Sequence, residues 1–428
     1  MKRKWIAKTM AAALSMSMLM GMSSMASESQ EAEGEQITLT WAVFETDNYT
    51  ADFWQHIIDT FEADNPDIKI EKVLMTGDSR PQFLKTMLAA GTMPDINVDP
   101  VDLAKTDGVY AEVPEELLSK FEDAAVVTVN GKKTLIPAYK AYRYQVYYNK
   151  NMFEQAGIEV PTTWEEFEDA CAKLQENEIV PLITSGASDI WATGEPTWEA
   201  LVNPAAYAKY PDFNQQIVDG TLSWTDAVNV DALKAWQELV NAGYYHKGSM
   251  SFSYTQASAA FLDGEAAMMV DGAWTSATMD NTEGITEEDF GSFVLPTLTG
   301  DKAYFTMPGY WAVSETCENK EAAFRFCEYV LGGNEELYRY YLQADGTFSV
   351  TKEPVTYETG PIQTQFIANY DGMEEVPEIG KVVGDSALPS GLLDFIDKSL
   401  QNIFTGADVE SEVATWDAEM QRLLGSAN

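Results

Sequence analysis

The sequence predicts an α/β protein folded as two lobes. Three observations carry that expectation. Residues 37–74 read strand, helix, strand, the βαβ unit of an α/β sheet. Removing a 26-residue leader from the 428 residues would leave 402, more than one hydrophobic core usually serves. Strand and helix signals then continue to the C-terminus with no Pro/Gly/Ser-rich linker near the middle, so two lobes would be joined by short ordered crossings.

The elements follow in order. ITLTWAVF alternates, with Ile37, Leu39, Trp41 and Val43 on one face of a strand. Phe53, Trp54, Ile57, Ile58 and Phe61 recur at helical spacing until Asn65-Pro66-Asp67 breaks the pattern, and IKIEKVLM returns as a strand. A second helix over Phe83–Ala90 stops at Gly91, a C-cap residue, and MPDINVD reads as the third strand. Residues 135–149 (LIPAYKAYRYQVYYN) are extended and tyrosine-rich. Thr163 and Glu166 stand three apart as an N-cap and its capping-box partner. Leu233, Trp236 and Val240 mark a helix closed at Gly243, and Ala266–Val270 reads as a short buried strand. Residues 321–342, 389–404 and 408–424 are predicted helical. Gly406 separates the last two, Asp408 caps the final one, and Glu410 and Glu412 lie in its first turn, where the helix dipole favours acids.

The N-terminus has the pattern of a secretory signal. Lys2, Arg3, Lys4 and Lys8 precede an uncharged run from Met10 to Met22, and Ser24-Met25-Ala26 supplies small residues for cleavage. The run is shorter than the roughly 20 residues of a membrane-spanning helix. The first cysteine is Cys171, so no lipid anchor on a new N-terminal Cys is expected. Residues 27–36 (SESQEAEGEQ) form an acidic leader expected to be disordered. The formal charge of −41 falls to about −45 without the four basic residues of the signal, which argues against nucleic acid and against anionic lipid as partners. Eleven Trp, 20 Tyr and 19 Phe exceed what an acidic surface needs and point to an aromatic contact surface. Three cysteines make no disulfide framework; Cys171 and Cys327 sit in helical patterns as packed thiols, and a 317–327 bridge is the weaker alternative. His56 and His246 have no metal spacing, and no metal or other cofactor is expected.

Catalytic signatures are missing: no Gly-x-Ser-x-Gly, His-Glu-x-x-His, phosphate loop or dinucleotide fingerprint occurs. Paired carboxylates could serve a glycosidase, but 68 acids make pairing inevitable and uninformative. Four ordered segments say more: FLKTMLAAGTMPD (83–95); YYNKNMFEQAG (147–157) followed by PTTWEEF (161–167); FLDGEAAMMVDGAW (261–274); and MPGYWAVS (307–314) followed, after a helix, by GTFSV (346–350). In this order and spacing the chain resembles the extracellular solute-binding proteins of ABC importers, most closely the sugar-binding group that includes maltose-binding protein. The resemblance covers residues 37–428.

That resemblance implies a type II periplasmic-binding-protein fold: two α/β lobes, a hinge and an interlobe ligand cleft. It puts lobe 1 at 37–141 with 303–344 and lobe 2 at 142–302 with 345–428, with hinge segments near Ala138–Tyr144 and Ala303–Met307. It implies a non-enzymatic, monomeric protein that delivers a carbohydrate, an oligosaccharide by preference, to ABC permease subunits. Another small solute, a polyamine or an osmolyte, is the alternative, and a secreted glycoside hydrolase the more distant one. Relatives that keep a lipobox cysteine or a Pro at the position of Phe348 differ from this chain, which leaves its mode of cell attachment open.

Sugar binding asks for aromatic planes against the C–H faces and carboxylates, amides or Arg around the hydroxyl rim, placed beyond strand ends. Glu45 and Asp99 each end a strand, and Asp78 lies in a loop that faces the cleft in relatives. Tyr142 and Arg143 lie in the crossing segment, with a hinge ion pair as the other reading of Arg143. Trp191 follows a short apolar strand and a polar loop. Trp274 follows Ala266–Val270, with Asp271 as a hydroxyl acceptor or turn cap and Gly272 as the residue that lets the chain turn. Tyr310 and Trp311 follow a Pro308-Gly309 turn and alternate, so one of them faces the cleft; Phe348 reaches it or packs.

Overall fold

The computed structural model describes residues 36–76, 79–187, 189–384 and 386–426. The signal pattern, the acidic leader up to residue 35 and the candidate Asp78 lie outside the described residues. The described residues form ten strands: β1 Ile37–Val43, β2 Ile68–Leu74, β3 Ile96–Val98, β4 Ile136–Tyr142, β5 Gln145–Asn149, β6 Leu182–Ile183, β7 Met268–Asp271, β8 Phe290–Phe293, β9 Ala303–Val313 and β10 Glu374–Pro377.

They make two sheets. The first has the order β10-β9-β3-β1-β2, with β4 also on β9; the second has the order β6-β7-β5-β8. β1 and β2 are parallel, from Ile37 opposite Ile68 to Val43 opposite Leu74. The helix Ala51–Asp64 connects them and buries Phe53, Trp54, Ile57, Ile58 and Phe61, the predicted stripe. Local rules hold at the ends. Gly91 takes the left-handed C-cap conformation at φ 68°. Thr163 accepts from the Glu166 N–H while the Glu166 carboxylate accepts from the Thr163 N–H, closing the capping box.

Each sheet has its own core. Under the first, Trp41 meets Trp54 edge-on at 5.1 Å and packs against Trp311 at 5.0 Å and Phe326 at 4.9 Å. Beside the second, Trp198 and Trp416 pack edge-on at 5.6 Å, both without exposed surface. Burying side chains of this size stabilises by about 2–3 kcal/mol each. The cysteines are free and buried, so no 317–327 bridge forms, and burial raises the thiol pKa of each. His56 meets Tyr340 edge-on at 4.6 Å, a packing role.

Two predicted elements differ. The helix expected over 321–342 is two helices, Lys320–Glu328 and Glu335–Ala344. Between them the backbone leaves helical values at Leu331 and at Gly332 (φ 110°), and Asn334 caps the second helix by accepting from the Leu337 N–H. The apolar spacing continues across the break, which is why periodicity alone ran through it. The Pro308-Gly309 turn is also not a turn: both residues lie within β9, opposite Lys140 and Tyr139 of β4. Gly309 is there because the Tyr139 ring covers it; a Cβ would stand 2.3 Å from that ring.

β4 and β9 tie the halves together. β9 places Trp311 in the first core and Phe305 in the second. The chain leaves β4 of the first sheet and enters β5 of the second through Arg143 and Tyr144.

Candidate ligand cleft

A cavity of about 420 Å³ lies between the two sheets. Its rims touch. On one side the Asn48 amide donates to Asp345 Oδ1 (2.9 Å) and to the Trp274 carbonyl (3.3 Å), while Thr278 Oγ1 donates to Asn48 Oδ1 (3.0 Å). On the other, Ser390 Oγ donates to Asp102 Oδ2 (2.5 Å), Lys105 Nζ to the Ala387 carbonyl (2.8 Å) and Ser79 Oγ to Asp394 (3.3 Å). The cleft is closed in this arrangement.

Trp274 occupies the first turn of the helix Ala273–Asp280, directly after β7, and lines the cavity half-buried. Its indole N–H donates to Tyr254 Oη (2.6 Å), and that hydroxyl donates to Asp271 Oδ2 (2.6 Å). Thr275 Oγ1 (2.6 Å) and the Gly272 N–H (2.9 Å) also donate to Asp271. Trp191 meets Trp274 edge-on at 6.0 Å and lies 5.4 Å from Tyr254. Asp271 is thus a buried anchor for a wall of three aromatic rings. Gly272 has an ordinary extended backbone (φ −88°), so it is not needed for a turn; the Trp274 ring lies against it, and a Cβ would fall 2.2 Å from the indole.

Arg143 lies on the cleft floor, buried, with Nε donating to Glu378 (3.0 Å) and a terminal nitrogen donating to Glu195 (3.2 Å) and to the Tyr144 hydroxyl. Burial opposes its charge, but Glu378, Tyr144 and Glu195 outweigh burial and hold its pKa above the usual arginine value. Glu195 and Glu199 stand four apart on the buried face of the helix Glu195–Lys209. Burial first, then Glu378 and Glu195, raise the Glu199 pKa well above the carboxylate range; burial, then Glu195, does the same to Asp397. Glu195, Glu199 and Glu378 bring one oxygen each within 4.8 Å of one another, a spacing that could hold a cation. Arg143 already supplies positive charge to two of them, and ion pairing is the simpler account.

Of the sequence-derived candidates, Glu45, Asp99, Arg143, Trp191, Trp274 and Tyr310 line the cavity. Glu45 is 3.3 Å from Lys72, and Asp99 is 3.5 Å from Arg80 with a left-handed backbone (φ 58°), which aspartate tolerates better than most residues. Trp311 is fully buried in the first core, with its N–H donating to Tyr341 Oη (3.2 Å), and cannot reach the cleft. Tyr142 is placed away from the cavity, against Phe348 (5.3 Å), Tyr304 (5.5 Å) and Tyr370 (5.6 Å). Phe348 packs there too, stacked 6.0 Å from Tyr357. Neighbours in extended chain face opposite sides, so Arg143 and Tyr142 could not both reach the cavity, nor could Tyr310 and Trp311. Sequence reasoning missed Tyr254, Asn48, Asp345 and the segment 380–394. KVVGDSALPSGLLD (381–394), rich in Gly, Pro and Ser, carried a loop signal; Asp345 directly precedes the GTFSV segment.

The buried acids give a pH prediction. Burial raises the Asp271 pKa from 3.8 to about 6, against the hydrogen bonds from Thr275, Tyr254 and Gly272 and the charge of Arg143. Folding therefore tightens proton binding. The stability this provides is full below about pH 4 and is lost as pH rises through about 6, a span of about 3 kcal/mol. Asp271→Asn should flatten that part of the urea-midpoint profile between pH 4 and 7; parallel profiles for parent and variant would refute the assignment.

Two α/β lobes around an aromatic, carboxylate-lined cleft define the type II periplasmic-binding-protein fold. The chain belongs to the bacterial extracellular solute-binding protein family, whose pattern residues 47–332 match. It is 24% identical over 321 residues to the Multiple sugar-binding protein of Streptococcus mutans, covering 72% of this chain and 74% of that one. A Chitin oligosaccharide binding protein superposes with a TM-score of 0.76 at 23% identity, over 91% of this chain and 99% of the other. Maltose-bound MalE3 of T. maritima superposes at 0.72 and 20% identity, over 90% and 100%. No described helix is long and apolar enough to cross a membrane.

Proposed function

We infer that this protein is an exported, non-enzymatic receptor that captures a carbohydrate, an oligosaccharide by the names of its structural neighbours, and delivers it to the permease subunits of an ABC importer. The observation that carries this reading is the closed cavity itself. It combines the aromatic wall Trp191, Tyr254 and Trp274 with a rim of amide, hydroxyl and carboxylate groups, the two surfaces a pyranose requires. Relatives named for sugars support it. The proposed lobes are 37–141 with 303–344 and 142–302 with 345–428, hinged where β4 passes into β5 and at the start of β9; Val350 in the first core and β10 on the first sheet are exceptions to those bounds. Rim contacts such as Asn48 to Trp274 would break on opening, so ligand and rim together would set the closed population that docks on the permease. The protein acts as a monomer outside the membrane. Its floor carboxylates Glu195 and Glu378 are both engaged by Arg143.

A thermal-shift screen over oligosaccharides, polyamines and osmolytes tests the reading. A glycan at a hundred times its Kd should add about 2.7 kcal/mol of stability. A shift with polyamines or osmolytes and none with glycans would overturn it, as would release of shorter sugars from a bound oligosaccharide.

A further inference from the structure

We propose that the carbohydrate taken by this cleft carries a protonated amine, an amino sugar whose ammonium group is held by Asp345 beside Trp274. The inference rests on the carbohydrate reading and narrows it. An acid-rich lining alone would mean little in a chain with 68 acids and 27 basic residues, since the lining simply follows the composition. What matters is how each charge is partnered.

The cleft's positive charges are already engaged. Arg143 bonds Glu195 and Glu378. Arg80 lies 3.5 Å from Asp99 and 3.5 Å over the Phe44 ring. Lys105 donates to the Ala387 carbonyl, and Lys381 sits in the field of Glu195 and Glu378. Among the described lining residues Arg80, Arg143 and Lys381 already face carboxylates, so a carboxylated, sulfated or phosphorylated sugar would have to compete with them. Two carboxyls on the cavity wall have the opposite character, whereas Glu45, Asp99, Asp102 and Glu195 each face a lysine or arginine. Asp345 accepts from the neutral Asn48 amide, and Asp394 from the neutral Ser79 hydroxyl. Burying an ionised acid whose hydrogen-bond partner is neutral is costly, and a positive group arriving with the ligand would offset that cost.

Asp345 is the best placed to meet such a group. The single Asn48 amide bonds both Asp345 and the Trp274 carbonyl, which puts the carboxyl next to the Trp274 backbone at the cavity wall. A carboxylate on the cavity wall suits an ammonium ion, through a charge-assisted hydrogen bond. The charged groups facing Asp345 are Arg80 and Arg143, which favour its ionised form, and Asp271, which opposes it; Tyr49, Tyr139, Tyr341 and Tyr357 surround it. Burial raises its pKa to about 6, so it is ionised at neutral pH and protonated at mildly acidic pH.

Calorimetry with the glucosamine tetramer and the N-acetylglucosamine tetramer tests this, because the two share a backbone and differ in the amine. At pH 7 the amine form should bind at least about tenfold tighter, the scale of one charge-assisted hydrogen bond. The difference should narrow at pH 5 as Asp345 takes up a proton, and should be lost at pH 7 in Asp345→Asn. Should that variant fail to fold, the pH comparison on the parent protein decides. Equal or tighter binding of the acetylated tetramer overturns the inference, as does an unchanged preference in the variant. Binding of a neutral glycan but of neither tetramer overturns it and leaves the carbohydrate reading standing. Binding of spermidine and of no glycan removes the carbohydrate reading itself.

Discussion

Replacing Arg143 by methionine is expected to destabilise the protein by about 3–5 kcal/mol, the scale of removing one partner from a buried ion pair. The side chain is 4% exposed and engages two carboxylates at 3.0 and 3.2 Å. Those carboxylates come from separated elements: Glu195 opens the helix Glu195–Lys209, and Glu378 follows β10 of the first sheet. Methionine would fill much of the volume and return none of the charge. Glu195, Glu199 and Glu378 would then share one buried region, and protonation would be their way out. The loss should therefore be larger at pH 8 than at pH 5, since taking up protons is cheaper in acid. Lysine should rescue poorly, because an ammonium cannot bond both carboxylates in the planar geometry of guanidinium. Urea denaturation of the three proteins at both pH values provides the check. Midpoints within error of the parent for Arg143→Met would show that the cluster contributes nothing net.

Arg143 also marks where sequence reading succeeds and where it stops. Thr163 with Glu166, and Gly91 after its helix, obey rules confined to a few neighbouring residues, and the structure has both. The alternation of Tyr310 and Trp311 was legible for the same reason, though not which ring faces inward; that depends on β3 and β4 flanking β9. Arg143 could be placed in a crossing segment, but its two carboxylate partners lie 52 and 235 residues away. Tyr142 was drawn into the candidate site by proximity in sequence to Arg143, yet extended chain sends the two apart. Tyr254 had no local mark at all, and Asp345 had only its place directly before the GTFSV segment. Tyr254 begins an unremarkable helix, Tyr254–Leu262, and becomes part of the site because β7 brings Asp271 beneath it.

The same network gives the largest expected effect on binding. Trp274→Ala should weaken carbohydrate affinity by about 1–3 kcal/mol, the range for losing an aromatic contact in a desolvated pocket. The ring is half-buried, and Tyr254 can still donate to Asp271 without it, so the fold should tolerate the loss. Tyr254→Phe separates contact from positioning. It keeps the ring that packs 5.4 Å from Trp191 and removes the hydroxyl that holds the indole N–H and donates to Asp271. Affinity should fall by less than in Trp274→Ala. Because the Tyr254 hydrogen bond lowers the Asp271 pKa, its removal should move that pKa above about 6, and the pH range over which stability declines should shift upward with it. A ring that merely packs would change affinity and leave the pH profile in place. An unchanged profile in Tyr254→Phe, measured beside an affinity loss in Trp274→Ala, would reduce the relay from Trp274 through Tyr254 to Asp271 to ordinary packing. A coupled change in both would make Asp271 the group that holds the sugar-facing wall in register with the strand beneath it.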